Sequence, residues 1–285
     1  MLGEKSKLIV ILANQRSGTT ALGRTLGQHP DIKYFGEIFY ANPDYKESAF
    51  FYFLEQKIEK DKSYIFKFLF GGYETEIFQD YLNYLFERYN INEKKILIDI
   101  KLNNAHILNG GWHYPIEAPK SIRILKDYKA KFIFLKRNVL RCYISELVAK
   151  RSGIWHIIKD HSTTESYQTK VTDFIINLNE AYHKVKMLYD TIKFYEYILN
   201  DYQFIMHVKY QDLFDEFGLF RREKIDEICE FLEIDSSLIP KEPLTEKIIK
   251  KLNFIKNLDE VICYFREFDW FRDMENKIGF FEEYN

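Results

Sequence analysis

Residues 8–20 read Leu8-Ile9-Val10-Ile11-Leu12-Ala13-Asn14-Gln15-Arg16-Ser17-Gly18-Thr19-Thr20. Leu8 to Leu12 is a short, β-branched-rich apolar run of the kind that forms a strand buried on both faces. The polar residues after it lead into a helix expected from about Gly18 to Gln28, since Leu22 and Leu26 share a face and Gly27, His29 and Pro30 close it. A turn that delivers chain from a strand into a helix leaves backbone N–H groups pointing above the helix N-terminus, and phosphate or sulfate fits there. Gly18 permits close approach of the backbone, the Ser17, Thr19 and Thr20 hydroxyls offer donors, and Arg16 adds positive charge. The simpler alternative is an ordinary turn in which serine and threonine only cap the helix. Against the Walker A pattern Gly-x4-Gly-Lys-Ser/Thr, Ala13 replaces the first glycine and Thr19 stands where the lysine belongs. The usual grip on a γ-phosphate is therefore missing.

Outward from this stretch, further strands are expected at Ile96 to Ile100, Phe132 to Leu135 and Phe204 to Val208, each followed by polar or turn-forming residues. Between them, apolar residues recur every three or four positions from Phe174 to Leu199, which predicts a long amphipathic helix. A second such pattern, Ile225, Ile228, Phe231 and Leu232, ends near Ile234-Asp235-Ser236-Ser237. The alternation implies an α/β fold with a parallel sheet. No Pro/Gly/Ser-rich linker or repeat interrupts the chain, so residues 1–285 are expected to form one domain.

Composition narrows the partners. With 41 Lys plus Arg against 43 Asp plus Glu, the formal charge of −2 gives no global attraction to nucleic acid or to an anionic membrane, so an anion site must be local. Cys142, Cys229 and Cys263 have neither metal-ligand spacing nor an even count, which fits a reducing compartment or simple burial. The apolar run Leu8 to Ala13 is too short for a signal-peptide core or a membrane span, and a cytoplasmic address is expected, assuming a bacterial source. His106, His113, His156 and His161 form no metal-ligand pattern. Trp112-His113-Tyr114 and Trp155-His156 offer aromatic faces for a sugar or adenine ring, or simply pack.

The segment Gln15-Arg16-Ser17-Gly18-Thr19-Thr20, with His29-Pro30-Asp31 and Gly36-Glu37 after it, resembles the sulfotransferases that use 3′-phosphoadenosine 5′-phosphosulfate (PAPS). Tyrosylprotein sulfotransferases and bacterial glycan sulfotransferases are among them. The resemblance implies a P-loop-like three-layer fold with a central parallel sheet flanked by helices. It assigns the 5′-phosphosulfate to Arg16, Ser17, Gly18, Thr19 and Thr20. A second segment, Phe132-Ile133-Phe134-Leu135-Lys136-Arg137-Asn138 with Arg141 and Ser145, is similar to the family's 3′-phosphate-binding element. Arg137 leaves a strand while Arg141 and Ser145 share one face of the next helix, so all three can converge on one phosphate. Residues 137–156 look most like the bacterial branch that modifies nodulation factors, trehalose lipids or surface polysaccharides, which implies a glycan or glycolipid acceptor.

The same resemblance implies the chemistry. Sulfuryl transfer needs positioning and charge stabilisation more than covalent work from the protein, and no metal. Arg16 and the loop N–H groups would stabilise the leaving oxygen. Glu37 follows the loop at the spacing of the catalytic glutamate in tyrosylprotein sulfotransferases and is the candidate base, with Asp99 as second choice. Lys101, in Asp99-Ile100-Lys101-Leu102-Asn103-Asn104, would meet the sulfuryl oxygens or pair with a neighbouring acid. Lys209-Tyr210-Gln211-Asp212-Leu213 resembles a frequent Tyr-Glu-Asp-Leu segment with Gln211 in place of the acid and receives no catalytic role. Acceptor specificity would lie in Asn42 to Tyr73 and Asn104 to Ser121. The rival readings are a P-loop nucleotide-dependent kinase and a nucleotide- or glycan-binding module without catalysis.

Overall fold

The computed structural model describes residues 7–40, 46–89, 94–109, 117–155, 157–158, 172–215, 218–243, 245–246 and 252–279. In chain order the elements are β1 (Leu8–Ala13), α1 (Thr19–Leu26), β2 (Ile32–Glu37), α2 (Phe50–Lys60), α3 (Tyr64–Phe70), α4 (Glu74–Arg88), β3 (Lys95–Lys101), α5 (Lys120–Asp127), β4 (Lys131–Lys136), α6 (Val139–Ser152), β5 (Ile157–Ile158), α7 (Leu178–Ile198), β6 (Ile205–Lys209), α8 (Tyr210–Leu213), α9 (Arg222–Leu232), β7 (Thr245–Glu246), α10 (Leu258–Arg266) and α11 (Asp269–Ile278). Five strands form one sheet in the order β2-β3-β1-β4-β6, and every neighbouring pair is parallel. β5 and β7 form a separate antiparallel pair.

Alternation along the strands divides the core. Val10, Leu12, Ile96, Ile98 and Ile100 face the layer built from α2, α4–α7, α10 and α11, while Ile9, Ile11, Ala13 and Leu97 face α1 and α9. All six residues of β1 are buried, as the continuous apolar run requires. Burial of each Val, Ile or Leu side chain there contributes about 1.5–3 kcal/mol. The result is the expected α/β architecture of three layers.

Several boundaries differ from the sequence reading, each for a local reason. The first helix covers Thr19–Leu26 rather than Gly18 to Gln28, because Gly18 adopts a left-handed conformation (φ 88°) and caps it, while Gly27 takes the C-cap. The long helix begins at Leu178, not Phe174. Asn177 accepts from Glu180 N (3.0 Å), and Phe174 pairs with Ile255 in a parallel bridge through Phe174 N to Phe254 O (2.9 Å). The Asn177 cap satisfies a first-turn N–H that the helix cannot, which fixes the start. The last sheet strand is displaced by one residue, to Ile205–Lys209.

β2 has no counterpart in the sequence reading, and a bulge explains why. The register runs Tyr34 to Leu97 and then Gly36 to Ile98, so one residue of β2 is unmatched. Phe35 turns into the α2/α4 layer, and the simple two-residue period is broken. Gly36 sits at φ 79°, where an L side chain is strained, although a Cβ there would meet nothing within 4 Å.

Candidate active site

The carboxyl ends of the parallel strands converge on the turn after β1, the usual place for a ligand crevice in such sheets. Two groups of charge meet there, one on each side of β1.

On the β4 side lie the arginines. The turn itself is built by two left-handed residues, Arg16 (φ 64°) and Gly18 (φ 88°). Arg137, leaving β4, explains the first: its Nη1 donates to the Arg16 carbonyl at 2.8 Å. Its guanidinium also stacks on Tyr210, 4.1 Å from the ring centroid. The same Tyr210 ring closes over Gly18, where a Cβ would come within 2.6 Å of Cε2, so glycine is required twice. Arg16 Nε donates to Ser145 Oγ (3.1 Å), and its Nη1 donates to the Trp155 carbonyl (2.6 Å) with the half-exposed indole 5.8 Å away. Arg141 and Ser145 lie buried one turn apart on α6, whose N-cap Asn138 accepts from Leu140 N and Arg141 N.

Burial, and then the neighbouring Arg137, push Arg16 below the usual guanidinium range. Two cations drawn together are therefore held against their mutual repulsion. Beside them α1 begins at a glycine that offers no side-chain cap to the first-turn N–H groups. An anion carrying more than one charge, such as a phosphate ester or phosphosulfate, relieves both deficits. The residues present fit that group.

The expected hydroxyl donors are differently employed. Ser17 is buried, with Oγ 3.5 Å from Cys142 Sγ, and Thr19 accepts a hydrogen bond from Lys101 Nζ. Thr20 is half-buried on the first turn of α1. The lysine that the turn lacks by comparison with Walker A thus arrives from the end of β3.

On the β2/β3 side lie the acids. Glu37 stands in register with Asp99, and the bulge at Gly36 is what aims Glu37 to the α1 face, on which Leu97, Asp99 and Lys101 alternate. Lys101 Nζ donates to Asp99 Oδ2 at 2.6 Å, and both residues are buried. Of the two options open for Lys101 in the sequence, the structure shows the pairing with the neighbouring acid, and the same ammonium also reaches Thr19 in the turn. Asn104 Nδ2 donates to Glu37 Oε1 at 3.1 Å. Burial pushes Glu37 up to about 7, Lys101 opposes, Asp99 reinforces, and the Asn104 bond opposes slightly. A carboxyl titrating there is poised to exchange a proton near neutrality.

Beyond Lys101 the chain turns into a cleft of about 570 Å³ lined by Leu102, Asn103, His106, Tyr182, His183 and Phe194 among others. His106 lies over Phe194 with centroids 6.4 Å apart and planes 26° apart. Trp112, His113, Tyr114, His156 and His161 lie outside the described residues, as do parts of the two segments expected to set acceptor choice. Sequence reasoning missed Tyr210 as a wall of the turn and Asn104 as the partner of Glu37. Both occur in segments it had matched only weakly, and neither carries a signal that precedes the fold. Among the described residues no helix is long and apolar enough to cross a membrane.

A family model described as a sulfotransferase domain matches residues 6–258. No curated protein sequence matches significantly. Similar solved structures include a sulfotransferase from Alicyclobacillus acidocaldarius, 16% identical, covering 95% of each chain with a TM-score of 0.46. Mouse sulfotransferase SULT7A1 complexed with PAP is 12% identical, covers 96% of this chain and 90% of its own, and has a TM-score of 0.42. A sulfotransferase domain from the curacin biosynthetic pathway is 12% identical, covering 95% and 96%, with a TM-score of 0.43. At these scores the structural likenesses add nothing to the family match.

Proposed function

Because this chain belongs to the sulfotransferase family, we propose that it moves the sulfuryl group of PAPS to a hydroxyl of a glycan or glycolipid. The observation that carries the donor assignment is the pairing of Arg16 and Arg137 at the uncapped start of α1, with Ser145 on Arg16. In this reading the turn from Arg16 to Thr20 holds the 5′-phosphosulfate. Arg137, Arg141 and Ser145 hold the 3′-phosphate, the group that distinguishes PAPS from ATP.

The acceptor oxygen forms a bond to sulfur as the bond from sulfur to the 5′-phosphate oxygen breaks. Its proton passes to Glu37, and 3′,5′-ADP departs. Arg16 and the turn N–H groups balance the charge that grows on the leaving oxygen, and Lys101 balances charge on the sulfuryl oxygens. A carbohydrate acceptor is supported by the resemblance of residues 137–156 to the bacterial glycan branch and by the cleft beside Asn103, whose lining includes both aromatic and polar side chains. A single catalytic domain working in a bacterial cytoplasm belongs to the same reading.

Calorimetric titration tests the donor assignment without an acceptor. Binding of 3′,5′-ADP well above that of 5′-AMP and ATP is expected, whereas equal or absent binding overturns it and favours a kinase or a binding module.

A further inference from the structure

We propose that Asp99 is a positioning residue for the transfer reaction: it pins the Lys101 ammonium beside Thr19 and sets its own negative charge against Glu37 across the β2–β3 pair. The inference deepens the reading of Glu37 as the base and rests on it.

Asp99 is 1% exposed, in the middle of a sheet whose other strand-interior positions on this face are apolar apart from the Tyr34 phenol. A buried carboxylate there destabilises the fold except as far as a partner compensates its charge. One oxygen has a clear task, since Oδ2 receives Lys101 Nζ at 2.6 Å. Oδ1 is buried without a hydrogen-bond partner among the described residues. An apolar side chain, or an asparagine, would serve packing with less desolvation, so the charge itself is the feature to explain.

Geometry supplies two consequences of that charge. Asp99 Oδ2 and Thr19 Oγ1 both receive the Lys101 ammonium, which fixes it in the wall beneath the turn. Glu37 is the cross-strand neighbour of Asp99, brought to the same face by the bulge at Gly36. Like charges in that relation favour protonation of the more exposed partner. Glu37 is therefore a stronger proton acceptor than it would be beside Lys101 alone.

Among the described residues, the charged and titratable groups facing this pair are these. On β3 they are Asp99 and Lys101, on β2 Tyr34, and on α1 Arg24, which acts on Tyr34. Burial, and then the charge of Asp99, keep the Tyr34 phenol protonated, so it does not compete for the proton. Asn104 contributes its neutral amide from the turn after β3.

Titration of Glu37 by ¹³C NMR in protein labelled at glutamate Cδ, with the resonance assigned through Glu37→Gln, reads the effect with no acceptor present. The wild-type midpoint should lie near 7. In Asp99→Asn it should fall by about one unit, a tenfold loss of proton affinity, because a like charge is gone and the lysine remains. In Asp99→Asn with Lys101→Met it should climb back to or above the wild-type midpoint. A folded Asp99→Asn protein whose Glu37 midpoint is unchanged or raised overturns the inference. If that variant does not fold, the double variant is compared with Lys101→Met alone: a midpoint in the double variant equal to or above that of Lys101→Met contradicts the inference equally. These outcomes are independent of 3′,5′-ADP binding, so failure of the donor assignment and failure of the Asp99 assignment appear in different experiments.

Discussion

On one side of β1 the sheet ends in arginines pressed together, and on the other it ends in two carboxyls with a lysine between them. Both halves are charge arrangements that raise the energy of the empty fold. Arg16 and Arg137 repel one another under partial burial, and Glu37 resists ionisation because burial and Asp99 oppose it. The difference lies in the sign of the charge: the arginine half would be relieved by an anion, while the carboxyl half is relieved by taking up a proton. In the proposed function these are the donor side and the acceptor side, meeting across the turn after β1.

The division predicts that each half can be broken without the other. Glu37→Gln should lower turnover with PAPS about 10²- to 10⁴-fold, the usual contribution of a positioned base. Its affinity for 3′,5′-ADP in calorimetry should stay within about twofold, and loss of donor binding would contradict the division. Arg137→Ala should weaken 3′,5′-ADP about 100-fold, as loss of charge-assisted hydrogen bonds to a phosphate does, with the Glu37 midpoint left near 7.

Stability against pH sharpens the carboxyl half. A carboxyl whose folded value is raised from 4.5 to about 7 binds its proton more tightly folded than unfolded. Stability is thus lost as pH rises through that window and is fully present below it. Urea denaturation should show the wild type losing roughly 3 kcal/mol relative to Glu37→Gln between pH 4.5 and pH 8. Gly36→Ala should cost about 1 kcal/mol in the same assay, because a left-handed residue is strained there and no neighbour obstructs a Cβ. Neutralising an exposed i,i+4 pair such as Asp273 with Lys277 should change stability by less than about 0.5 kcal/mol, which sets the background for both halves.

The two halves were not equally legible. The arginine half is written locally: β1, the turn and α1 are contiguous, and Arg137, Arg141 and Ser145 follow one strand at helical spacing. A continuous apolar run is enough to bury β1 and β4 and bring those segments side by side. The carboxyl half depends on pairing between distant strands. Lys33 and Gly36 weaken the apolar pattern of β2, and the unmatched residue in the bulge breaks its period, so neither the strand nor the direction of Glu37 follows from local order. Asp99 and Lys101 share a face by simple alternation, but the reach of Lys101 to Thr19 exists only once β1 and β3 are in register. The early start assigned to α7 failed for a related reason, since Phe174 fits the helical period while a bridge to Ile255 claims its backbone.

A structure of the protein with 3′,5′-ADP tests this account most directly. The account predicts the 3′-phosphate within hydrogen-bond reach of Arg137, Arg141 and Ser145, the 5′-phosphate over the start of α1, and Glu37 on the far side of that phosphate from the arginines. A nucleotide bound in the reverse orientation, or one whose phosphates avoid the turn after β1, would contradict it.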